Sequence, residues 1–246
     1  MFVQYTKTSF LDHPLSMLKF YFGAKESLHE KILLRTGKIL LQERFDRGEA
    51  MRILSEIRNE DFVRMNESKD TTLSGNKPGH LFGKFIYFFV RIVKPDVMLE
   101  TGVAHGVSSW TILNGMHKNQ KGKLISIDLP NLDTKKVFNV ENFSRQPGWV
   151  VPEFLRSRWE LQLGKSSDLM PPLLKRLGSI DIFFHDSDHS YENMKFEFNA
   201  VADFVKPGGL ILSDDVHKNT AFREFVTEKN WPAVQLLSKG GAALKR

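Results

Sequence analysis

The chain contains no cysteine, which excludes a disulfide framework and any thiolate-ligated metal centre. It has no apolar run near the ~20 residues that a membrane helix requires, and its first residues, Met-Phe-Val-Gln-Tyr-Thr-Lys, lack the apolar core of a secretion signal. No long basic run appears, and the net charge of +6 is spread among interspersed acids and bases. Nothing therefore points to a nucleic-acid partner or a membrane span, and the expectation is a soluble, cytoplasmic protein. Tyrosine is scarce, with four residues against 20 phenylalanines, so the aromatic content serves a dry interior. No internal repeat and no low-complexity tract is found. The 246 residues suffice for one large α/β domain, alone or with an appendage.

The stretch that organises the chain is Asp96 to Gly106. It reads as a short buried strand ending on an acid, Glu100, then a glycine turn, then a helix from about Val107. In open α/β sheets ligands bind at the carboxyl ends of such strands. Gly102 and Gly106 allow close backbone approach, and Glu100 would attract a ligand that carries an amino group. A second buried strand, 123–127, closes on Asp128. An acid about 26 residues past the first glycine can hold the hydroxyls of a ribose. A third strand, 159–163, leads into Gly-Lys-Ser-Ser-Asp, where Ser166 could either bond a ligand or cap a helix.

Strand 179–184 runs into His-Asp-Ser-Asp-His-Ser-Tyr, and strand 210–212 ends on Ser-Asp-Asp. Sequential strands are usually neighbours, so Asp186, Asp214 and Asp215 should share one edge. Three carboxylates so close repel one another unless a cation intervenes, and an oxygen-only donor set suits a hard ion such as Mg2+. His189, three residues past Asp186, would face the same mouth as a general base. Asp188 and His185 are assigned no role, and His105 is read as positional.

Upstream, helical spacing predicts helices over 24–45 and 49–65, with 1–23 an irregular or helical arm. Asn66 to His80 is polar and reads as a long loop of the kind used as lids. An apolar helix, 81–93, stops at Lys94-Pro95. Lys206-Pro207-Gly208-Gly209 reads as a turn, 129–158 as loop-like, and 234–244 as a terminal hairpin. Strand–helix alternation from 97 onward implies a mostly parallel sheet covered on both faces. Residues 1–79 are taken as a helical extension and 80–246 as the main domain.

Taken in order, Glu-Thr-Gly-Val-Ala-His-Gly, Asp128, Gly-Lys-Ser-Ser-Asp, Phe-His-Asp-Ser-Asp-His-Ser-Tyr and Lys-Pro-Gly-Gly-Leu-Ile-Leu-Ser-Asp-Asp resemble the class I S-adenosylmethionine-dependent methyltransferases. The likeness is to the metal-dependent O-methyltransferase branch that includes catechol and macrocin-type enzymes, and it covers about 80–244. It implies a Rossmann-like seven-stranded sheet whose last strand is antiparallel. It also implies that Glu100 and Gly102 contact the amino-acid end of S-adenosylmethionine with Ser108 nearby, that Asp128 holds the ribose, and that Ser166 and Ser167 flank the adenine. Asp186, Asp214 and Asp215 match the metal positions and His189 the base. The catechol type has lysine in place of His189 and often asparagine in place of Asp215, so the resemblance leans toward a sugar-like or aliphatic hydroxyl. A nicotinamide oxidoreductase and a non-catalytic binding protein stay open as alternatives. So do the acceptor, the need for metal and a homo-oligomeric state.

Overall fold

The computed structural model describes residues 3–5, 27–58, 81–129, 146–236 and 239–246. The expected lid at 66–80 and most of the expected loop at 129–158 lie outside them. Eight strands form one sheet: β1 (Val3–Tyr5), β2 (Val97–Thr101), β3 (Lys123–Asp128), β4 (Trp159–Leu163), β5 (Ile180–His185), β6 (Val205–Ser213), β7 (Ala233–Leu236) and β8 (Gly240–Leu244). Seven α-helices accompany them among the described residues: α1 (Leu28–Leu41), α2 (Arg47–Arg58), α3 (Leu81–Val93), α4 (Val107–Asn119), α5 (Ser166–Leu177), α6 (Tyr191–Ala202) and α7 (Ala221–Glu228).

The spatial order is β1-β7-β8-β6-β5-β2-β3-β4. Strands β6, β5, β2, β3 and β4 pair in parallel, and β8 lies antiparallel between β6 and β7. The seven strands expected from the resemblance are thus present. The eighth, β1, pairs antiparallel with β7, where the sequence suggests an irregular or helical arm. A three-residue strand is too short to show a period. The chain winds outward from β2 through β3 to β4, then returns to β5 and β6 on the other side of β2. That reversal creates a topological switch point between β2 and β5, the place where such sheets bind ligands.

Burial on both faces explains the unbroken apolar runs in the central strands. Side chains alternate across the sheet. Met98, Ile182, Phe184, Leu210 and Leu212 pack with α1 to α4 through Leu33, Ile53, Phe85, Phe89 and Ile112. Leu99, Ile125, Phe183 and Ile211 pack with α5 to α7 through Met170, Phe198 and Phe222. The first two helices therefore share the main core. A capping box starts α1: Ser27 accepts from the Glu30 N–H, and the Glu30 side chain accepts from the Ser27 N–H.

The expected turn at Lys206–Gly209 is instead the first half of β6. Ile180 pairs with Val205 but Ile182 pairs with Leu210, so extra residues bulge out of the ladder. Proline and glycine signal a break in pairing, and the strand accommodates that break without ending.

Candidate active site

The strand tips are tied together by a lateral series of backbone hydrogen bonds. Gly164 N–H donates to Asp128 O (2.9 Å), Gly102 N–H to Ile127 O (2.9 Å), Asp186 N–H to Thr101 O (2.8 Å) and Asp214 N–H to His185 O (3.0 Å). Every strand-end segment singled out in the sequence therefore meets its neighbour on one edge. At the switch point Gly102, with φ +82°, lies against the Asp186 backbone so closely that a Cβ would stand 2.0 Å from the Asp186 carbonyl oxygen. Only glycine fits there.

The glycine turn is anchored from below. Asp128 Oδ2 accepts from the Val103 N–H (2.6 Å) and the Ala104 N–H (2.9 Å). These bonds hold Ala104 at φ 47°, a conformation uncommon outside glycine. Gly106, at φ +96°, caps α4 and packs against Gly148, whose N–H donates to Ala104 O (2.9 Å). The Asp128 carboxylate thus shapes the turn with one oxygen, and no described donor takes the other.

Glu100 faces α4 and is wholly buried. Its Oε1 accepts from Ser108 Oγ (2.7 Å), and its Oε2 accepts from Ser109 Oγ and Ser126 Oγ (2.6 Å each). Burial pushes its pKa up to about 7, against the pull of the three hydroxyls. Direct contact with a ligand, as the resemblance implies, would require one of these hydroxyls to move. Ser166 is the first residue of α5 and donates to Asn193 Oδ1 (3.4 Å), while Lys165 holds the cap position. Ser167 is bonded to Asp168 on the surface.

On the other side of the switch point, burial and the nearby carboxylates of Asp214, Glu100 and Asp215 raise the Asp186 carboxyl well above its ordinary range. Burial and the like charges act in the same direction, although 32% of the side chain's surface is open. Asp214 is raised too, chiefly by burial. Asp215, at φ 48°, goes the other way. Burial opposes its ionisation, but Lys218 Nζ at 2.6 Å outweighs that and holds the carboxyl low. His189 Nε2 lies 3.7 Å from Asp186 Oδ1. Burial, His185 and Lys218 lower its pKa to about 4, so the ring is neutral at pH 7.

The donor chemistry of this group suits a hard divalent ion. Asp214 Oδ1 and Asp215 Oδ1 are buried without a hydrogen-bond partner, and further carboxylate oxygens are at hand. The side chains are not assembled around one point, however. Among the described residues no three His, Asp or Glu groups converge as a ready-made metal site, and Lys218 occupies Asp215.

The sequence does not reveal what lies behind His189. His185 is fully buried on β5, its Nδ1 2.7 Å from Glu197 Oε2. Glu197 also accepts from Thr101 Oγ1 (2.6 Å), Ser187 Oγ (2.9 Å) and Asn193 Nδ2 (3.2 Å). The His185 ring meets the His189 ring edge-on at 5.2 Å between centroids. One signal is available: Glu197 sits on the apolar face of α6 between Met194 and Phe198, where an acid needs a buried partner.

Residues 99–216 match the family model described as "Methyltransferase domain". Comparison with curated proteins gives no significant match. Among solved structures, the O-methyltransferase TomG from Streptomyces achromogenes, solved with S-adenosylmethionine, is similar at a TM-score of 0.54 and 18% identity, covering 83% of this chain and 98% of that one. A putative O-methyltransferase from Klebsiella pneumoniae gives 0.53 and 18%, covering 84% and 99%. An O-methyltransferase from Bacillus cereus in complex with S-adenosylhomocysteine gives 0.50 and 19%, covering 76% and 90%. Residues 99–216 thus resemble a methyltransferase domain, and the chain has the Rossmann-like fold of these O-methyltransferase structures.

Proposed function

We propose that the protein is an S-adenosylmethionine-dependent O-methyltransferase acting on a hydroxyl of a small molecule or sugar, with His189 as the proton acceptor. The observation that carries this reading is the contact between Gly102 and Asp186. It joins the turn shaped by Asp128 to the carboxylate and imidazole group in one continuous edge.

S-adenosylmethionine supplies an electrophilic methyl group on a sulfonium. Asp128 presents its free oxygen to the ribose, and the turn 102–106 presents backbone to the amino-acid end. Asp186 and His189 face the acceptor. The transfer forms one C–O bond and breaks one C–S bond, and the hydroxyl proton passes to His189 Nε2, which is buried with no hydrogen-bond partner. An imidazole held near 4 is a weak base, so the acceptor must itself be acidified. A divalent ion held by Asp186, Asp214 and Asp215 would lower the hydroxyl's pKa and orient it. Lys218 would then leave Asp215. Alignment of donor and acceptor provides most of the remaining acceleration, an effect worth up to ~7–11 kcal/mol in well-oriented systems.

The nicotinamide alternative has less support, because its Gly-x-Gly-x-x-Gly fingerprint, counted from Gly102, meets Ala104 and Val107 where it needs glycine, and β8 inserts antiparallel between β6 and β7. The test is transfer of labelled methyl from S-adenosylmethionine to a panel of hydroxylated acceptors. Wild type should lose activity with chelator and regain it with Mg2+. His189→Ala and Asp186→Ala should each abolish turnover while binding S-adenosylhomocysteine at near wild-type affinity. Wild-type turnover in both variants would refute the assignment, and chelator-resistant turnover would refute the metal.

A further inference from the structure

Three basic side chains gather on one carboxylate in the loop after β6. Lys218 Nζ lies 2.6 Å from Asp215 Oδ2, His217 Nδ1 lies 3.7 Å from Oδ1 and Lys239 Nζ lies 3.8 Å from Oδ1. Of the three, only Lys218 is at bonding distance. The backbone arranges this contact. Asp215 takes a φ of 48°, and its carbonyl accepts from the Lys218 N–H (3.0 Å), so the turn folds the ammonium back onto the carboxylate three residues earlier. Asp215 is mostly buried, with 14% of its side chain open, against 47% for Lys218. The Lys218 charge also acts on Asp186, Asp214 and His189. One tethered ammonium thus serves the whole acidic edge, while Asp214 Oδ1 and Asp215 Oδ1 stay buried without a hydrogen-bond partner.

We propose that Lys218 is a built-in competitor of the divalent ion: its ammonium neutralises Asp215 in the metal-free protein and swings into solvent when a metal takes the carboxylates. The inference rests on the metal-assisted reading above and adds a control of metal affinity to it. Two cations in contact with one carboxylate repel each other, so the metal must displace Lys218 from it. Lysine suits this part, being a point charge on a flexible four-carbon stem. The stem is half exposed, and the backbone N–H remains on Asp215 O when the side chain leaves. The same contact accounts for the dispersed donor set. Among the described residues no three acids or histidines converge, and with Oδ2 held by Lys218 the Asp215 carboxylate is not free to turn toward Asp186 and Asp214. His217 and Lys239, farther out on Oδ1, act through space and are open to screening by salt. Metal binding is therefore the exchange of one cation for another, and it is weaker than the three carboxylates alone would make it.

The experiment titrates the full chain with Mn2+, an oxygen-binding ion whose free-ion paramagnetic signal counts what is unbound. Binding that persists in Asp214→Asn is subtracted as belonging elsewhere. Lys218→Gln should bind Mn2+ about 10-fold more tightly than wild type, the equivalent of about 1.4 kcal/mol. Lys239→Gln removes a charge from the same carboxylate without removing a bond, so at physiological salt it should change the affinity by less than about 2-fold. A second measurement needs no variant. Acylation of wild-type lysines by an activated ester, read by mass spectrometry, should label Lys218 several-fold faster with saturating Mn2+ than without, because the ion pair shields the amine. Unchanged or weaker Mn2+ binding by Lys218→Gln, an equal gain in Lys239→Gln, or Lys218 labelling indifferent to Mn2+ would overturn the inference while leaving the metal reading intact. Absence of Mn2+ binding by wild type and Lys218→Gln alike would overturn the metal reading itself.

Discussion

Gly102→Ala tests the join between the cofactor turn and the carboxylate side of the site. The new methyl would stand 2.0 Å from the Asp186 carbonyl oxygen, 2.5 Å from its carbon and 2.8 Å from the Ser187 nitrogen, all backbone atoms. Ordinary contact needs roughly 3.5 Å, so the tips of β2 and β5 must part by more than about 1 Å. Forcing alanine to φ +82° costs roughly 1–2 kcal/mol, and the displacement adds about 1–3 kcal/mol, as overpacking generally does. The sum, about 2–5 kcal/mol, corresponds to a fall in Tm of roughly 4–20 °C for a protein of this size. Gly178→Ala is the control. That residue also has positive φ, +71°, but nothing lies within 4 Å of where its new methyl would stand, so only the backbone cost of roughly 1–2 kcal/mol applies. Calorimetric melting of both variants separates the two contributions. Because the Gly102 N–H is bonded to Ile127 O, the same displacement should weaken S-adenosylhomocysteine binding by more than about 10-fold. If Gly102→Ala melts with Gly178→Ala and binds like wild type, the contact is not what unites the site.

Two further outcomes follow from the buried acids. Asp128→Ala removes the acceptor of the Val103 and Ala104 N–H groups, and losing two bonds to a charged group should cost about 3 kcal/mol. Asp128→Asn, which keeps an oxygen, should recover about half of that loss in urea unfolding; equal stability of Asp128→Ala and wild type would contradict the anchoring role. Glu100 has a folded value of about 7 against an ordinary 4.5. Its proton-linked stabilisation is therefore complete below pH 4.5 and lost as pH rises through 7, where a buried carboxylate must be carried. Glu100→Gln avoids that charge, so it should gain about 1–3 kcal/mol relative to wild type between pH 5 and pH 8. A pH-independent difference would show that Glu100 does not titrate in this range.

The central strands are legible in the sequence because their continuous apolar runs end on acids and turn residues. That pattern alone locates Glu100, Asp128, Asp186 and Asp214 on one edge, and the lateral bonds between strand tips bear that edge out. Less legible is anything that depends on which acids are satisfied internally. Glu100 looks like an exposed ligand contact in the sequence, but its serines come from two elements, Ser108 and Ser109 on α4 and Ser126 on β3. Glu197 sits on the apolar face of α6, which signals burial, but its partners, His185 and Thr101, come from two other strands and are not legible there. Lys218 cannot be placed on Asp215 without knowing that the loop after β6 turns through a positive φ. The bulge in β6 is hidden by the same Pro-Gly-Gly that creates it. Local chemistry sets where a chain turns, but pairing partners distant in sequence decide whether a strand continues past an irregularity.

The central claim is that one sheet edge brings a methyl donor beside the Asp186–His189 group. A crystal structure with S-adenosylhomocysteine tests it most directly. The account predicts density along the turn 102–106, with the ribose on the free oxygen of Asp128 and the sulfur turned toward Asp186 and His189. Ligand bound elsewhere, or with its sulfur facing away from those two residues, would contradict it.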